Sequence, residues 1–195
     1  MKKIADKLAF LVSAIFSPFL VIPLFSLFTI RYYSPSLSLF LLLSLIFVGF
    51  SVIMPFLYVI LAVKFGLLTD IHVALKEQRK APFEVAIVGS LIILVTYFVM
   101  HVPYELLVMS LALVINGLVF VILTKYLKAS MHAASFASAV TIVGILISPI
   151  VFWCYLLLIP IFWARINRKK HTFLQLISAA IISSLLTASV LLVLK

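Results

Sequence analysis

The fold is decided by residues 133–164, which read AASFASAVTIVGILISPIVFWCYLLLIPIFWA and contain no charged side chain. As one straight helix these 32 residues would be about 48 Å long, whereas the hydrocarbon core of a bilayer is about 30 Å thick. Ser148-Pro149 lies at the midpoint, and proline cannot continue a helix without the loss of a backbone hydrogen bond. The stretch therefore predicts a hairpin of two short membrane helices, with one long helix kinked at Pro149 as the alternative.

Five further apolar segments flank this stretch, and most of them are long enough for the roughly 20-residue span of a membrane helix. They comprise residues 8–30, 37–63, 85–100, 104–124 and 172–194. Hydrophobic residues make up 66% of the chain and charged residues 10%, whereas a soluble domain is roughly half apolar and about a quarter charged. We therefore expect an all-α polytopic membrane protein, a bundle of six to seven transmembrane helices in a single membrane-embedded domain over residues 1–195. The first apolar segment lacks a clear signal-peptide cleavage site and is expected to be retained, so that residues 8–63 form an N-terminal helix pair.

Basic residues are concentrated in short clusters between the apolar segments. A net charge of +10 on a soluble surface would suggest nucleic acid, but basic clusters at membrane helix ends instead favour anionic or phosphorylated lipids as partners. Two crossings in each of residues 8–63, 85–124 and 133–164 would place 13 of the 15 Lys and Arg side chains on one membrane face. Those 13 are Lys2, Lys3, Lys7, Lys64, Lys76, Arg79, Lys80, Lys125, Lys128, Arg165, Arg168, Lys169 and Lys170. The positive-inside rule alone would make this face cytoplasmic. The charge distribution therefore does not distinguish basic residues that only set the membrane topology from basic residues that bind phosphate.

Three of the four histidines, His72, His132 and His171, fall on the same charged face. Taken singly, each is more often an interfacial side chain than a catalyst, although ionisable groups near membrane spans are frequently functional. The strongest pattern is residues 164–175, ARINRKKHTFLQ, in which one helix ends, a basic turn follows and the next helix begins. Gln175 lies one helical turn after His171, where its side chain would hydrogen-bond one imidazole nitrogen and leave the other free to attack.

These residues resemble the signatures of the type 2 phosphatidic acid phosphatase superfamily, which includes lipid phosphatases and vanadium haloperoxidases. The last signature of that family is Arg, five residues, His, three residues and Asp. Arg165 and His171 match it, and Gln175 stands at the aspartate position. The middle signature, Ser-Gly-His at the start of a helix, resembles residues 130–132, SMH, in which methionine replaces the glycine. Both matches occur in the family's order, and the hairpin would bring them to one membrane face.

The first signature of the family resembles residues 69–83, TDIHVALKEQRKAPF. The common form is Lys, six residues and Arg-Pro, whereas here the spacing from Arg79 puts His72 at the lysine position and Lys80 at the proline position. The stretch is more similar to a divergent form found in small bacterial members, with a basic residue and Glu before an Arg, and then Pro-Phe. This resemblance implies that Lys76 and Arg79 bind phosphate, and that residues 64–195 form a phosphatase-like core in a bacterial inner membrane.

The resemblance implies a hydrolase without metal or cofactor that cleaves a phosphomonoester or diphosphate of a lipid through a phosphohistidine intermediate. His171 would attack phosphorus, and His132 would protonate the leaving lipid alkoxide. The phosphoryl oxygens would be held by Lys76, Arg79, Arg165 and Ser130. Fixed cations and hydrogen-bond donors suit this chemistry, because the transferred phosphoryl group spreads its charge over three oxygens.

Gln175 is the main departure from the family pattern. A neutral amide can orient the histidine but cannot stabilise its positive form, and in a Ser-His-Asp triad the change of Asp to Asn costs about ten-thousandfold in rate. Either Asp70 or Glu77 would then replace the aspartate, or the enzyme would be slow, or the protein would bind a lipid phosphate without hydrolysing it.

Two other functions stay open at this point. One is a relative without catalysis that binds or transports an anionic lipid, and the other is a small transporter or structural membrane protein whose basic loops only set topology. An intramembrane ion pathway is disfavoured because the middles of the apolar segments carry no acidic residue. A polyprenyl transferase is disfavoured because the sequence lacks the paired aspartates that would hold magnesium and diphosphate.

Overall fold

The computed structural model describes residues 2–69, 78 and 80–194, and all regular secondary structure in those residues is helical. This part of the chain contains nine α-helices, with a π-helical turn after the third and a 3-10 helix after the seventh. In chain order the elements are α1 (Lys2–Ile15), α2 (Pro18–Tyr33), α3 (Leu37–Val48), the π-helical turn (Gly49–Ile53), α4 (Met54–Lys64), α5 (Lys80–Val99), α6 (Tyr104–Leu127), α7 (Met131–Leu146), the 3-10 helix (Pro149–Leu157), α8 (Leu158–Asn167) and α9 (Phe173–Val193).

Several helical stretches are long and apolar enough to cross a bilayer. Within the described ranges there are five, namely Leu37–Lys64, Ala81–Val99, Tyr104–Thr124, Pro149–Asn167 and Phe173–Val193. A sixth crossing would combine α1 with α2, and α7, with 16 residues, is the shorter apolar helix that remains. The chain is therefore an all-α polytopic membrane protein, as the sequence predicts.

The chain divides into two compact units. The first comprises Met1–Tyr32 and Ile122–Lys195, and the second comprises Tyr33–Val121. The expected N-terminal helix pair over residues 8–63 does not form one unit, because its first half belongs with the C-terminal helices. The residues that match the middle and last family signatures all lie in the first unit, so their geometry can be described there.

Residues 8–30 do not form the single straight helix expected of a first span. Helix α1 ends at Ile15 and α2 begins at Pro18, with a bend of 42° between them. Proline is favourable at the first position of a helix, because the amide it lacks would have no partner within the helix.

Helix α1 exposes a stripe of large apolar side chains at helical spacing, as expected of a face in contact with lipid. The stripe consists of Ile4, Leu8, Leu11 and Ile15.

Residues 133–164 form the predicted hairpin. Helix α7 ends near Ile147, Ser148 is extended, and the chain turns into the 3-10 helix at Pro149. Helix α8 packs back against α7. The hydroxyl of Thr141 lies 2.6 Å from that of Tyr155, and one turn further along α7 Gly144 faces the Phe152 ring. Residues later in α7 therefore contact residues earlier in the returning segment, so the two segments are antiparallel.

The returning half of the hairpin, residues 149–167, is longer than an α-helix with the same number of residues would be. Its first nine residues form a 3-10 helix, which rises ~2.0 Å per residue, and α8 adds ten residues at ~1.5 Å. Together they extend about 33 Å, close to the ~30 Å hydrocarbon core. Half of the ~48 Å estimated for one helix, about 24 Å, would be too short to cross the core, but this half of the hairpin is long enough.

Helix α7 is the centre of the first unit. Every residue from Ala133 to Gly144 is buried, and alanine and serine predominate, which lets neighbouring helices approach closely. Helix α9 runs parallel to α7, because Ser183 donates a hydrogen bond to the Ala134 carbonyl at 2.8 Å and Thr187 lies 2.8 Å from Ser138 one turn later. The hairpin and α9 thus place the start of α7, the end of α8 and the start of α9 at one end of the unit.

The second unit is organised around the π-helical turn. Helix α5 packs against this turn and against α3 and α4, and Tyr97 donates a hydrogen bond to the Leu43 carbonyl at 2.9 Å. Gly89 of α5 lies so close to the Phe50 carbonyl that a Cβ atom would overlap it. A side chain at this position is therefore incompatible with the observed packing.

Candidate functional site

Four of the predicted site residues lie at the end of the first unit where α7 begins. Ser130 is the N-cap of α7 and His132 lies in its first turn. Arg165 lies in the last turn of the returning α8, and His171 immediately precedes Thr172, the N-cap of α9. The antiparallel hairpin and the parallel packing of α9 on α7 are the reason that segments far apart in sequence meet here.

The two histidines and Arg165 are electrostatically coupled. Burial first, and then the positive charge of Arg165, lower the pKa of His132 to about 4, and proximity to His171 contributes further. The same two causes lower the pKa of His171 to about 4. Both imidazoles are therefore neutral at pH 7 beside a permanent cation, and each keeps one nitrogen lone pair.

His132 is held in one tautomer by α1. Its Nε2 atom lies 3.1 Å from the backbone carbonyl oxygen of Ser13. A carbonyl oxygen only accepts hydrogen bonds, so Nε2 carries the proton and donates it, and Nδ1 of the neutral ring carries the lone pair. Ser13 was not a predicted site residue, and no sequence pattern marks a backbone carbonyl 119 positions away from its partner.

The start of α7 is suited to bind an anion. Ser130 is completely buried, and its hydroxyl makes no hydrogen bond to any described residue. The Ala134 amide donates to the Ser130 carbonyl at 3.0 Å, so the amides that precede it belong to the first turn, where no acceptor exists within the helix. The helix dipole adds a partial positive charge at the same place. A buried hydroxyl, first-turn amides and Arg165 therefore lie together at this helix end.

The Gln175 side chain takes part in the cap of α9. Its side-chain oxygen accepts a hydrogen bond from the Thr172 amide at 3.1 Å, while the Thr172 hydroxyl accepts one from the Gln175 amide at 3.4 Å. These reciprocal bonds form a capping box that starts α9. Hydrogen bonds with the Lys128 backbone and with the Gln175 side chain act to raise the pKa of His171, whereas its buried Nδ1 atom has no hydrogen-bond partner among the described residues. The role of Gln175 in orienting the imidazole of His171 therefore stays a prediction.

Two further cations lie at the rim of the site. The positive charge of Lys128 lowers the pKa of His171, and that of Arg168 lowers the pKa of His132. Lys128 is exposed, whereas the guanidinium of Arg168 lies 5.2 Å above the centre of the Phe10 ring of α1. Lys128 and Lys169 both have a positive φ, 45° and 51°, in the turns that precede Ser130 and His171. In the sequence, Lys128 and Arg168 stand out only as basic residues of the charged face.

Lys76 and Arg79, the other two predicted phosphate ligands, lie outside the described residues, as do Asp70 and Glu77. Asp6, at the same end of the first unit as the site, accepts a hydrogen bond from Asn167 at 3.1 Å. Within the part of the chain that is described, no group of three or more His, Cys, Asp or Glu side chains is placed to hold a metal ion. The described site is therefore composed of imidazoles, cations, a hydroxyl and backbone amides.

The sequence matches no protein-family model, and comparisons with curated proteins and with solved structures found no similar protein.

Proposed function

We propose that the protein is a membrane lipid-phosphate phosphatase that acts through a phosphohistidine intermediate. The observation that supports this most strongly is the convergence of His132, His171 and Arg165 at the start of α7. These residues come from α7, from α8 and from the turn that precedes α9, at positions up to 39 residues apart in the sequence. A basic turn that served only to set membrane topology would not require two neutral imidazoles beside one half-buried guanidinium.

Each residue has a role that its environment supports. His171 is the nucleophile, because it is neutral at pH 7 and its lone pair is available without prior deprotonation. Arg165, the Ser130 hydroxyl and the first-turn amides of α7 bind the phosphoryl oxygens and stabilise the charge that they share in the transition state. His132 transfers protons at the leaving or attacking oxygen. None of these steps uses a metal ion.

The substrate belongs to the membrane. The site lies at the ends of apolar helices, where the headgroup of a phospholipid arrives by lateral diffusion, and the basic rim attracts its charge. We place the protein in the inner membrane of a bacterium, because the residues around Lys76 and Arg79 resemble those of small bacterial family members.

The proposal is tested with the purified full-length protein in detergent or liposomes. We expect release of inorganic phosphate from at least one of phosphatidate, phosphatidylglycerophosphate and a prenyl diphosphate. His171→Asn should lower the rate by at least about a thousandfold, because the nucleophile is lost. His101→Asn is the matched control, since His101 is outside the first unit and its positive φ of 51° is one that asparagine tolerates. Phosphate release that survives His171→Asn would contradict the proposed mechanism.

A second candidate function is favoured by the capping box. The Gln175 amide, engaged at Thr172, carries no negative charge to stabilise a positive His171, and the buried Nδ1 of His171 has no hydrogen-bond partner among the described residues; both features suit a protein that binds a lipid phosphate without cleaving it. This candidate predicts saturable binding of phosphatidate liposomes, weakened by Arg165→Ala, with no turnover of any of the three substrates. Arg165→Lys should also weaken the binding, because lysine cannot form the two parallel hydrogen bonds of a guanidinium.

A further inference from the structure

One side of helix α1 is in contact with the candidate site. It makes three contacts there, at positions 6, 10 and 13 of the chain. These contacts are Asp6 with Asn167 at 3.1 Å, the Phe10 ring centre with the guanidinium carbon of Arg168 at 5.2 Å, and the Ser13 carbonyl with Nε2 of His132 at 3.1 Å. The three positions are separated by four and then three residues, so they lie on the same side of the helix.

The opposite side of α1 is exposed and apolar. It consists of the stripe formed by Ile4, Leu8, Leu11 and Ile15, whose side chains are each at least half exposed. The stripe is offset by two positions from the residues that contact the site, and two residues of an α-helix correspond to about 200° of rotation. An exposed apolar stripe on a membrane protein packs against acyl chains. Helix α1 therefore contacts lipid on one side and the site on the other.

Two exposed lysines of α1 lie beside the stripe. Lys3 and Lys7 are one turn apart, and neighbours at this spacing have Cβ atoms about 5–6 Å apart, so both ammonium groups can reach one phosphate. The first turn of α1 contains Lys3 and no acidic residue, so the lysine charge opposes the helix dipole. An anion at this helix start would be stabilised by both. Asp6 does not neutralise this surface, because its carboxylate accepts a hydrogen bond from Asn167 on the other side of the helix.

The Ser13 carbonyl can accept a hydrogen bond from His132 because α1 ends nearby. In a continuous helix the Ser17 amide would donate to Ser13, but it donates to the Ala14 carbonyl at 3.2 Å instead. Carbonyls in the last turn of a helix are left without a partner within that helix, and the Ser13 carbonyl pairs with the imidazole. The bond therefore depends on the position of α1 at its 42° bend with α2.

We propose that anionic phospholipids of the surrounding leaflet bind the exposed side of α1 and hold this helix where the Ser13 carbonyl fixes His132. The phosphate of the headgroup lies between Lys3 and Lys7, and an acyl chain lies along the stripe. The buried residues of α1 are Ala9 and Ser13, which are small, so packing alone holds the helix less firmly than large side chains would. This lipid is a regulator and not a substrate, so the composition of the leaflet controls the placement of His132.

The first experiment measures which lipid lies against the stripe. Leu11→Trp is introduced into the full-length protein together with Trp153→Phe and Trp163→Phe, which remove the native tryptophans. Its fluorescence is quenched in nanodiscs that contain brominated phosphatidylglycerol or brominated phosphatidylcholine. We expect phosphatidylglycerol to bind at least tenfold more tightly. Lys3→Gln and Lys7→Gln should each reduce this preference about fivefold, the effect expected of one lysine near an anionic surface.

The matched control for this measurement is Leu185→Trp in the same background. Leu185 is 62% exposed, comparable with the 53% of Leu11, and it lies among apolar residues in the middle of α9. We expect little preference between the two lipids at this position. An equal preference at both positions would overturn the inference, as would a preference at Leu11 that survives Lys3→Gln combined with Lys7→Gln. Either result would mean that the two lysines only anchor the helix end.

The second experiment tests whether lipid on α1 affects His132. Diethyl pyrocarbonate modifies neutral imidazoles, and mass spectrometry reads the modification of each histidine in phosphatidylcholine nanodiscs with and without phosphatidylglycerol. We expect His132 to react at least about fivefold more slowly when phosphatidylglycerol is present, because α1 then stays against it. His101 is exposed in the second unit and corrects for any general effect of the charged membrane surface.

Variants separate binding at α1 from direct coverage of the site by lipid. Lys3→Gln with Lys7→Gln should abolish the protection of His132. Lys64→Gln with Lys170→Gln removes the same charge from two exposed lysines outside α1 and should preserve the protection. Protection that persists without Lys3 and Lys7, or that is absent from the wild type, would overturn the inference. Neither experiment requires turnover, so a lack of phosphatase activity would remove the proposed function and leave the role of α1 intact.

Discussion

The hydroxyl of Tyr155 lies 2.6 Å from the hydroxyl of Thr141 and 2.7 Å from that of Ser184. The Tyr155 phenol thus connects the 3-10 helix to α7 and to α9, the two helices that begin at the candidate site. Tyr155→Phe should lower the free energy of unfolding by about 1 kcal/mol, because hydrogen bonds between membrane helices contribute about 0.6 kcal/mol each on average. Thermal unfolding in detergent measures this, with Ser184→Ala expected to show about half the effect. An unchanged Tyr155→Phe protein would show that this hydroxyl cluster does not stabilise the unit.

Gly89 should be intolerant of substitution. Because a Cβ atom at this position would overlap the Phe50 carbonyl, Gly89→Ala requires a backbone shift in the second unit. We expect a loss of about 1–3 kcal/mol, the usual cost of overpacking. Gly49→Ala is the matched control, because Gly49 is helical and has open space where its Cβ would lie. Equal melting temperatures of Gly89→Ala and Gly49→Ala would contradict the close approach of α5 to the π-helical turn.

Stability should fall as the solution is acidified. Burial and the charge of Arg165 lower the pKa of His132 and His171 to about 4, whereas an unfolded chain binds these protons near pH 6.5. The unfolded state therefore binds more protons between these values. The stability contributed by the two neutral histidines is complete above about pH 6.5 and is lost as the pH falls toward 4.

The check is thermal unfolding from pH 8 to pH 4 of the wild-type protein and of His132→Gln with His171→Gln combined. The double variant should lose less stability than the wild type between pH 6.5 and 4, since it lacks both titrating groups. Parallel curves for the two proteins would show that the histidines titrate normally in the folded state.

Gln175→Asp should increase turnover. A carboxylate at this position would restore the residue of the family signature, and it would stabilise the positive charge that develops on His171 during attack. We expect at least a tenfold increase in kcat. Gln175→Ala is the control, because it removes the side-chain half of the capping box and should cost about 1 kcal/mol of stability without any increase in kcat. No gain in Gln175→Asp would favour the lipid-binding function.

The hairpin was predictable from sequence, because 32 uncharged residues exceed one bilayer crossing and Pro149 lies at their middle. The hairpin in turn made the meeting of Arg165 with His132 predictable, since the two residues are nearly equidistant from its turn. The 3-10 helix was not predictable, because its residues satisfy the same apolar pattern as an α-helix. The break at Ser17-Pro18 has the same proline signal as the hairpin, but residues 8–30 are not too long for one crossing, so length did not indicate a break there.

The site was predictable only in its charged and imidazole side chains. Thr172 and Gln175 have the spacing of a capping box, which is a local signal that competes with the role assigned to Gln175 from the family pattern. Ser13 could not be predicted, because it contributes a backbone carbonyl, a group that every residue carries. Its position depends on the packing of α1 against α8, and that packing is a tertiary property.

The burial of α7 has a consequence for how the protein responds to its membrane. Residues Ala133 to Gly144 face protein on all sides, with Phe136 set between Phe16 and Phe25 at centroid distances of 5.4 and 6.0 Å. A thicker or thinner bilayer would therefore tilt or stretch the outer helices while the helix that carries Ser130 and His132 stays shielded from acyl chains. Chain-length changes in the surrounding lipids should leave the relative placement of Ser130 and His132 intact.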